Sequence, residues 1–358
     1  MNLHLRASVL PDEAERDLFV TADGTISFEG GGEDARTVLE RGFVLPGLVD
    51  MHAHLALASP GGEDAPDGER ARASARAQLE GGVLALREPG APNHASFEIG
   101  PADGLPRVFS AGRWLAAPGR FFEGWAREVE PGGLAEAAVE EAAAGGWAKV
   151  IGDWRSSDGF APSFSAEDLS AAAKRVHVAG GRLAVHAMIR ETIEMAIEAG
   201  CDSIEHGTAL EEEHVRAMAA KRIALVPTMA AVASPPPPDA DDAVKARSAE
   251  RAARQPAMVR MAWEAGVLVL AGTDVALPHG SIREEVLRLA AAGLSSRAAL
   301  GGASWDARRF LGLPGIEEGA PADLVAFDRD PLGDLSVLAE PSLIILDGRM
   351  VHDGASSP

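Results

Sequence analysis

With 358 residues, 46% of them hydrophobic, the chain is long enough to bury a full barrel core beside a small accessory unit. Its net charge of −21, with no block of lysine or arginine, argues against nucleic acid and anionic membranes as partners. No stretch approaches the ~20 apolar residues of a membrane span, and the single cysteine, Cys201, excludes an internal disulfide and reads as a small buried apolar residue. A charged N-terminal region followed by an apolar one is also lacking, so a cytoplasmic enzyme is expected.

Residues 1–41 contain short strand-like pieces, among them Leu18 to Phe28, in which Asp23-Gly24 signals a hairpin. Gly30 to Gly32 reads as a turn, and no phosphate-loop helix follows it. From Gly42 an apolar run leads to His52-Ala53-His54. Side chains on a strand alternate faces, so His52 and His54 project together and can chelate one cation. Seven further strand candidates follow, at Val83–Leu86, Arg107–Ser110, Trp147–Asp153, Arg182–His186, Ser203–His206, Ile223–Pro227 and Leu268–Asp274. Helical spacing separates them over Leu134–Ala144, Ala166–Ala179, Arg190–Ala199, Glu211–Ala219 and Ser281–Ala291. Alternating strands and helices call for a parallel sheet, and eight such strands fit a (β/α)8 TIM barrel whose functional groups gather at the C-terminal strand ends.

Several candidate ligands stand at those ends, namely Asp153, His186, His206 and Asp274 besides the first two histidines. Trp114, Phe121, Phe122, Trp125, Trp154, Phe160 and Phe164 fall in or near the loops after the third and fourth strands. These suit an apolar pocket, in which Arg113, Arg120 or Arg155 could fix a substrate carboxylate; packing of the same aromatics over helices is the plain alternative. The stretches Ala58 to Glu69 and Val232 to Asp242, the latter containing Pro235 to Pro238, read as long loops over the site, the second as a stiff wall. Beyond the barrel, Gly319–Asp328 and Ile344–His352 read as strands. Residues 1–41 and 315–358 together are therefore expected to form a small β-sandwich domain beside a barrel at 42–314.

Taken together, these residues resemble the metal-dependent amidohydrolase superfamily, in the branch of imidazolonepropionase-like and Xaa-Pro dipeptidase (prolidase)-like hydrolases. His52-Ala53-His54 is similar to its first-strand HxH, Lys149 to its fourth-strand lysine that becomes carboxylated, His186 and His206 to the histidines ending strands five and six, and Asp274 in Gly272-Thr273-Asp274 to its eighth-strand aspartate. Leu86-Arg87-Glu88, Ile204 to Gly207 and Pro278-His279-Gly280 agree, and Gly315 to Pro331 resembles the family's return strand.

The resemblance implies two Zn2+ ions, with Mn2+ or Fe2+ as alternatives. One would be held by His52, His54 and Asp274, the other by His186 and His206, and carboxylated Lys149 would bridge them. A mononuclear site on His52, His54, His206 and Asp274 stays open. It also implies cleavage of an amide-type C–N bond in a dipeptide, an N-acyl amino acid or a cyclic amide by a metal-activated hydroxide, with Asp274 as the catalytic proton shuttle. The alternatives are an esterase or lactonase on the same site, or a barrel that binds without catalysis. Since the chain contains no tyrosine, the hydroxyl that some relatives use to orient the substrate carbonyl has no equivalent, and His279 is the candidate substitute; Arg113 and Trp154 complete the expected substrate contacts. The partner is a small molecule, with no nucleic acid and no membrane, and a homo-oligomer is left open.

Overall fold

The computed structural model describes residues 2–30, 35–57, 67–156 and 159–353. Between Leu48 and Val226 short strands alternate with helices and pair in parallel, apart from one antiparallel pair, Asp153–Ser156 with Gly159–Pro162. Leu48–Asp50, Val83–Glu88 and Arg107–Ser110 form one three-stranded sheet. Leu115–Ala116, Trp147–Ile151, Arg182–Ala187, Ser203–His206 and Ala224–Val226 form a second, with Arg127–Glu128 at its edge. Every residue of Val83–Glu88, Trp147–Ile151 and Ser203–His206 is buried, so these strands read as continuous runs rather than an alternation.

Parallel pairing requires long crossovers, and helices supply them. Ala166–Val178 buries Leu169, Ala172, Ala173 and Val176, one stripe of a 3.6-residue period, and starts where Ser165 and Asp168 cap each other. Arg190–Ala199 buries Thr192, Ile193, Ala196 and Ile197 and stops at Gly200, whose φ of +73° is left-handed.

The architecture is a TIM-barrel-like α/β fold, yet its strands make separate sheets rather than one closed barrel. The expected eighth strand, Leu268–Asp274, is the main departure: it contributes a single bridge, Leu225 to Val269. Beyond it the backbone is held by isolated bonds, with Met51 N–H donating to Ala271 O (2.8 Å) and Asp274 N–H to His52 O (2.6 Å). Asp274 has φ +54°, outside the extended region, so no ladder continues through it.

The terminal segments form one eight-stranded sheet, not the two sheets of a sandwich. Its strands are Leu3–Val9, Ala14–Val20, Ile26–Ser27, Arg36–Leu39, Phe43–Pro46, Leu324–Phe327, Leu343–Leu346 and Arg349–Asp353. Leu3–Val9 pairs with Ala14–Val20 on one side and with both Arg36–Leu39 and Phe43–Pro46 on the other. Thr25 then bridges Pro321, so the sheet curls around Leu5, Val9, Leu18, Ile26, Leu324 and Ile345. Strand alternation sends Leu45, Val325, Phe327, Ile344 and Leu346 into the barrel core instead. The Asp23-Gly24 hairpin forms, with Val20 opposite Ile26. Gly47 breaks the run after Pro46, where a Cβ would lie 2.5 Å from the Leu84 side chain.

Residues 58–66 of the Ala58–Glu69 loop, and Gly31 and Gly32, lie outside the described residues. Asp67 to Glu69 instead open the helix Asp67–Glu80, and Val232 and Ala233 complete the helix Met229–Ala233. Asp242–Glu264, with Pro256 inside it, is a helix that charge-rich patterning had hidden. Cys201 is buried, and burial pushes its thiol up, as its apolar reading requires. No helix among the described residues is long and apolar enough to cross a membrane.

Candidate metal centre

At the C-terminal strand ends His52, His54 and Asp274 each offer one atom, and these atoms lie within 4.8 Å of one another. Asp274 Oδ1 is 3.4 Å from His54 Nε2 and 3.8 Å from His52 Nε2. Both imidazoles are oriented from behind. His52 Nδ1 donates to Glu205 Oε2 (2.7 Å), and His54 Nδ1 donates to the Gly90 carbonyl (2.7 Å). A carbonyl or carboxylate oxygen can only accept, so each ring keeps its proton on Nδ1 and a lone pair on Nε2, the form that a metal takes. The His206 ring lies 5.4 Å from that of His52, and the His186 ring lies 4.7 Å from that of His206. His206 Nδ1 is hydrogen-bonded to Thr228 Oγ1 (2.7 Å). His206, Thr228 and Asp274 have φ of +67°, +44° and +54°, a left-handed backbone at three strand ends beside the site.

Lys149 is 1% exposed. Burial brings its ammonium down to about 8, against the attraction of Glu205 and with the repulsion of Arg87. A substantial neutral fraction near pH 8 is the form that can add carbon dioxide. Burial likewise brings His52 to about 4 and His206 to about 3, and drives His186 well below its usual value, so these imidazoles are neutral at pH 7 and free to ligate. Burial alone would raise Asp274, and the charge and hydrogen bonding of His52, His54 and His206 in their protonated forms bring the carboxyl well below the usual range.

Sequence reasoning missed the groups that hold this set. Arg87 donates to the Met51 carbonyl (2.9 Å), Ser203 Oγ (2.7 Å) and Glu205 (2.6 Å), and thereby fixes the carboxylate behind His52. Asp50 accepts from Thr273 N–H (3.1 Å), Thr273 Oγ1 (2.6 Å) and Gln78 Nε2 (3.1 Å), which ties the first strand to the irregular eighth. Arg87 and Glu205 lie in Leu86-Arg87-Glu88 and Ile204 to Gly207, where the motif alone assigns them no role; Asp50 precedes His52 by two residues, and no local pattern marks its partners.

The expected substrate contacts divide. The Trp114 ring lies tilted against that of His54 (5.1 Å between ring centroids) and the Trp154 ring against that of His186 (5.9 Å). Phe121, Phe122 and Trp125 join them in one aromatic group, in which Phe122 is 52% exposed. Phe164 is buried in the barrel core instead, and Phe160 lies under Arg251. The Arg113 guanidinium donates to the Ala126 carbonyl (3.1 Å), Arg120 donates to the Arg155 carbonyl (3.4 Å), and neither is shown reaching the histidines. Gln78 Nε2 is 3.3 Å from His279 Nδ1, while Gln78 Oε1 accepts from Gly280 N–H. With its amide so oriented, Gln78 donates to His279 and leaves the ring proton on Nε2. A second acidic group, Glu194, Glu213 and His214, is occupied by the guanidinium of Arg190, which pairs with both glutamates.

The profile of the amidohydrolase family matches residues 43–351. An uncharacterized protein of Mycobacterium tuberculosis is 39% identical over 361 residues, covering 98% of this chain and 95% of that protein. Among solved structures, a Xaa-Pro dipeptidase with bound methionine superposes with a TM-score of 0.83 at 24% identity, covering 98% of this chain and all of that one. Aspergillus niger ochratoxinase superposes with a TM-score of 0.82 at 22% identity, covering 100% and 97%.

Proposed function

The chain belongs to the amidohydrolase family, and from that premise we propose a metal-dependent hydrolase of carbon–nitrogen bonds in dipeptides, N-acyl amino acids or cyclic amides that carry an apolar or aromatic group. The observation that carries this reading is the convergence of His52, His54 and Asp274 within 4.8 Å, with the far nitrogen of each imidazole already committed. His52, His54, His186, His206 and Asp274 would hold two divalent ions, Zn2+ first and Mn2+ or Fe2+ as alternatives, with Lys149 as a bridging carbamate. Once bound, such ions polarise a carbonyl and make water more acidic. Asp274, ionised at neutral pH, takes the proton from the attacking water and delivers it to the leaving nitrogen. His279 donates from Nε2 to the carbonyl oxygen. Trp114, Trp154, Phe121 and Phe122 receive the apolar group, contributing ~25 cal/mol for each Å² they desolvate.

The test measures metal per subunit after growth on zinc, manganese or iron, then kcat/KM on Xaa-Pro dipeptides, N-acetyl amino acids with glycine, leucine or phenylalanine, and lactones. Amide turnover that favours phenylalanine and falls ~10²–10⁴-fold in Asp274→Asn is expected. Turnover indifferent to chelation, or confined to lactones, overturns the reading.

A further inference from the structure

Two buried polar atoms at the ends of the fourth and fifth barrel strands have no hydrogen-bond partner, and they lie 3.7 Å apart: Asp153 Oδ1 and His186 Nε2. Asp153 is fully buried, so it does not meet a substrate directly. Its other oxygen is committed, since Oδ2 accepts from the backbone N–H groups of Met188 (2.8 Å) and Ile189 (3.2 Å), immediately after the strand that carries His186. Gly152 N–H also donates to the His186 carbonyl (3.0 Å), so the two strand ends are already joined at this point. A carboxylate oxygen only accepts, and leaving it buried without a donor is costly. The groups facing this carboxylate are His186 Nε2 and the Thr192 hydroxyl, and Thr192 Oγ1 is likewise buried without a hydrogen-bond partner.

We propose that Asp153 is a positioning residue for His186: a closure of ~0.9 Å makes a hydrogen bond from Nε2–H to Oδ1, which leaves the lone pair on Nδ1 for a cation. The inference rests on the metal-dependent reading above. It assigns His186 the tautomer opposite to that of His52 and His54, whose Nδ1 atoms carry the proton. A carboxylate behind one imidazole and a carbonyl behind another already do this work at the first strand. Asp153 does it for the fifth.

Asp153→Asn tests the assignment without emptying the space. The Met188 and Ile189 N–H groups require an acceptor, so the amide oxygen stays with them and the NH2 turns to His186, forcing the ring proton to Nδ1. Long-range 1H–15N spectra of the histidine rings in metal-free protein read the tautomer, with His186→Gln identifying the resonance. Zinc titration of the chelator-stripped protein reads affinity. The expected result is an Nε2–H tautomer in the natural protein, an Nδ1–H tautomer in Asp153→Asn, and zinc binding weakened ~10–100-fold. An Nδ1–H tautomer in the natural protein overturns the proposal, as does an Asp153→Asn protein with unchanged tautomer and affinity. If Asp153→Asn does not fold, the tautomer of the natural protein decides alone. Failure of the natural protein to bind zinc sinks the metal reading instead, and the metal-free spectra still judge Asp153.

Discussion

At the scale of single residues, His52, His186 and His206 are imidazoles kept neutral by burial, and this has a sign in pH. His52 and His206 titrate at about 4 and about 3 in the folded protein, whereas in an unfolded chain each titrates near 6.5. Between pH 6.5 and about 3 the unfolded chain binds protons that the folded chain refuses. Stability of the metal-free protein therefore falls as pH drops through that window. Thermal unfolding of chelator-treated protein at pH 7, 6 and 5 should show Tm declining, and the decline should be shallower in His206→Asn. An equal slope in the two proteins removes His206 from this linkage. The histidines themselves were legible from their spacing at strand ends. Their hydrogen-bond partners were not, because Glu205 lies 153 residues from His52, and Gly90 acts through a backbone carbonyl that carries no residue-type signal.

At the scale of elements, the apolar runs and helix stripes marked the strands and helices in order, but the eighth strand came out irregular. Gly272 shows the physical reason. A Cβ there would lie 2.5 Å from His52 Cβ and 2.8 Å from Val226 Cγ1, so the segment runs too close to its neighbours for any other residue. Gly272→Ala should push His52 off its position and weaken zinc binding at least ~10-fold, on the scale of disturbed ligand support. Gly100→Ala, where a Cβ meets nothing within 4 Å, is the control and should bind as the natural protein does. Equal zinc affinity in Gly272→Ala and the control would show that the first strand tolerates the shift. Asp242–Glu264 went unread for a different reason: it buries only Ser248, Gln255, Met258, Val259 and Ala262 over 23 residues, too sparse a stripe to announce itself.

At the scale of the whole molecule, a buried ion cluster pins the terminal sheet to the barrel. Asp323, just before the strand Leu324–Phe327, accepts from Arg107 Nε (3.1 Å) on the third barrel strand and Arg308 Nη2 (3.3 Å) on the helix Trp305–Leu311. It also accepts from Asp347 N–H (2.9 Å), and its carbonyl takes Gly47 N–H (2.9 Å) at the junction of sheet and barrel. Arg308 is 1% exposed, so removing its carboxylate strands a buried guanidinium. Asp323→Ala should cost about 3–5 kcal/mol in denaturant unfolding, the range for breaking a buried pair from one side. A loss below about 1 kcal/mol would show that the sheet is held by its apolar contacts, through Leu45, Val325 and Phe327, without help from the cluster.

Local chemistry sufficed for what depends on neighbours in the chain: the alternation of strands and helices, the Asp23-Gly24 hairpin, and the strand-end positions of His186 and His206. Those follow from periodicity, turn residues and the two-residue repeat of a strand, all readable within a short window. His52 and His54 instead follow the strand Leu48–Asp50, and Lys149 lies in the middle of Trp147–Ile151. Tertiary structure alone decided that the terminal strands curl into one sheet, that Leu268–Asp274 keeps a single bridge at Val269, and that Arg87, Glu205 and Asp153 stand behind the imidazoles. Each of these depends on a close approach or a hydrogen bond between residues far apart in the chain, and no pattern along the sequence encodes a distance across the fold.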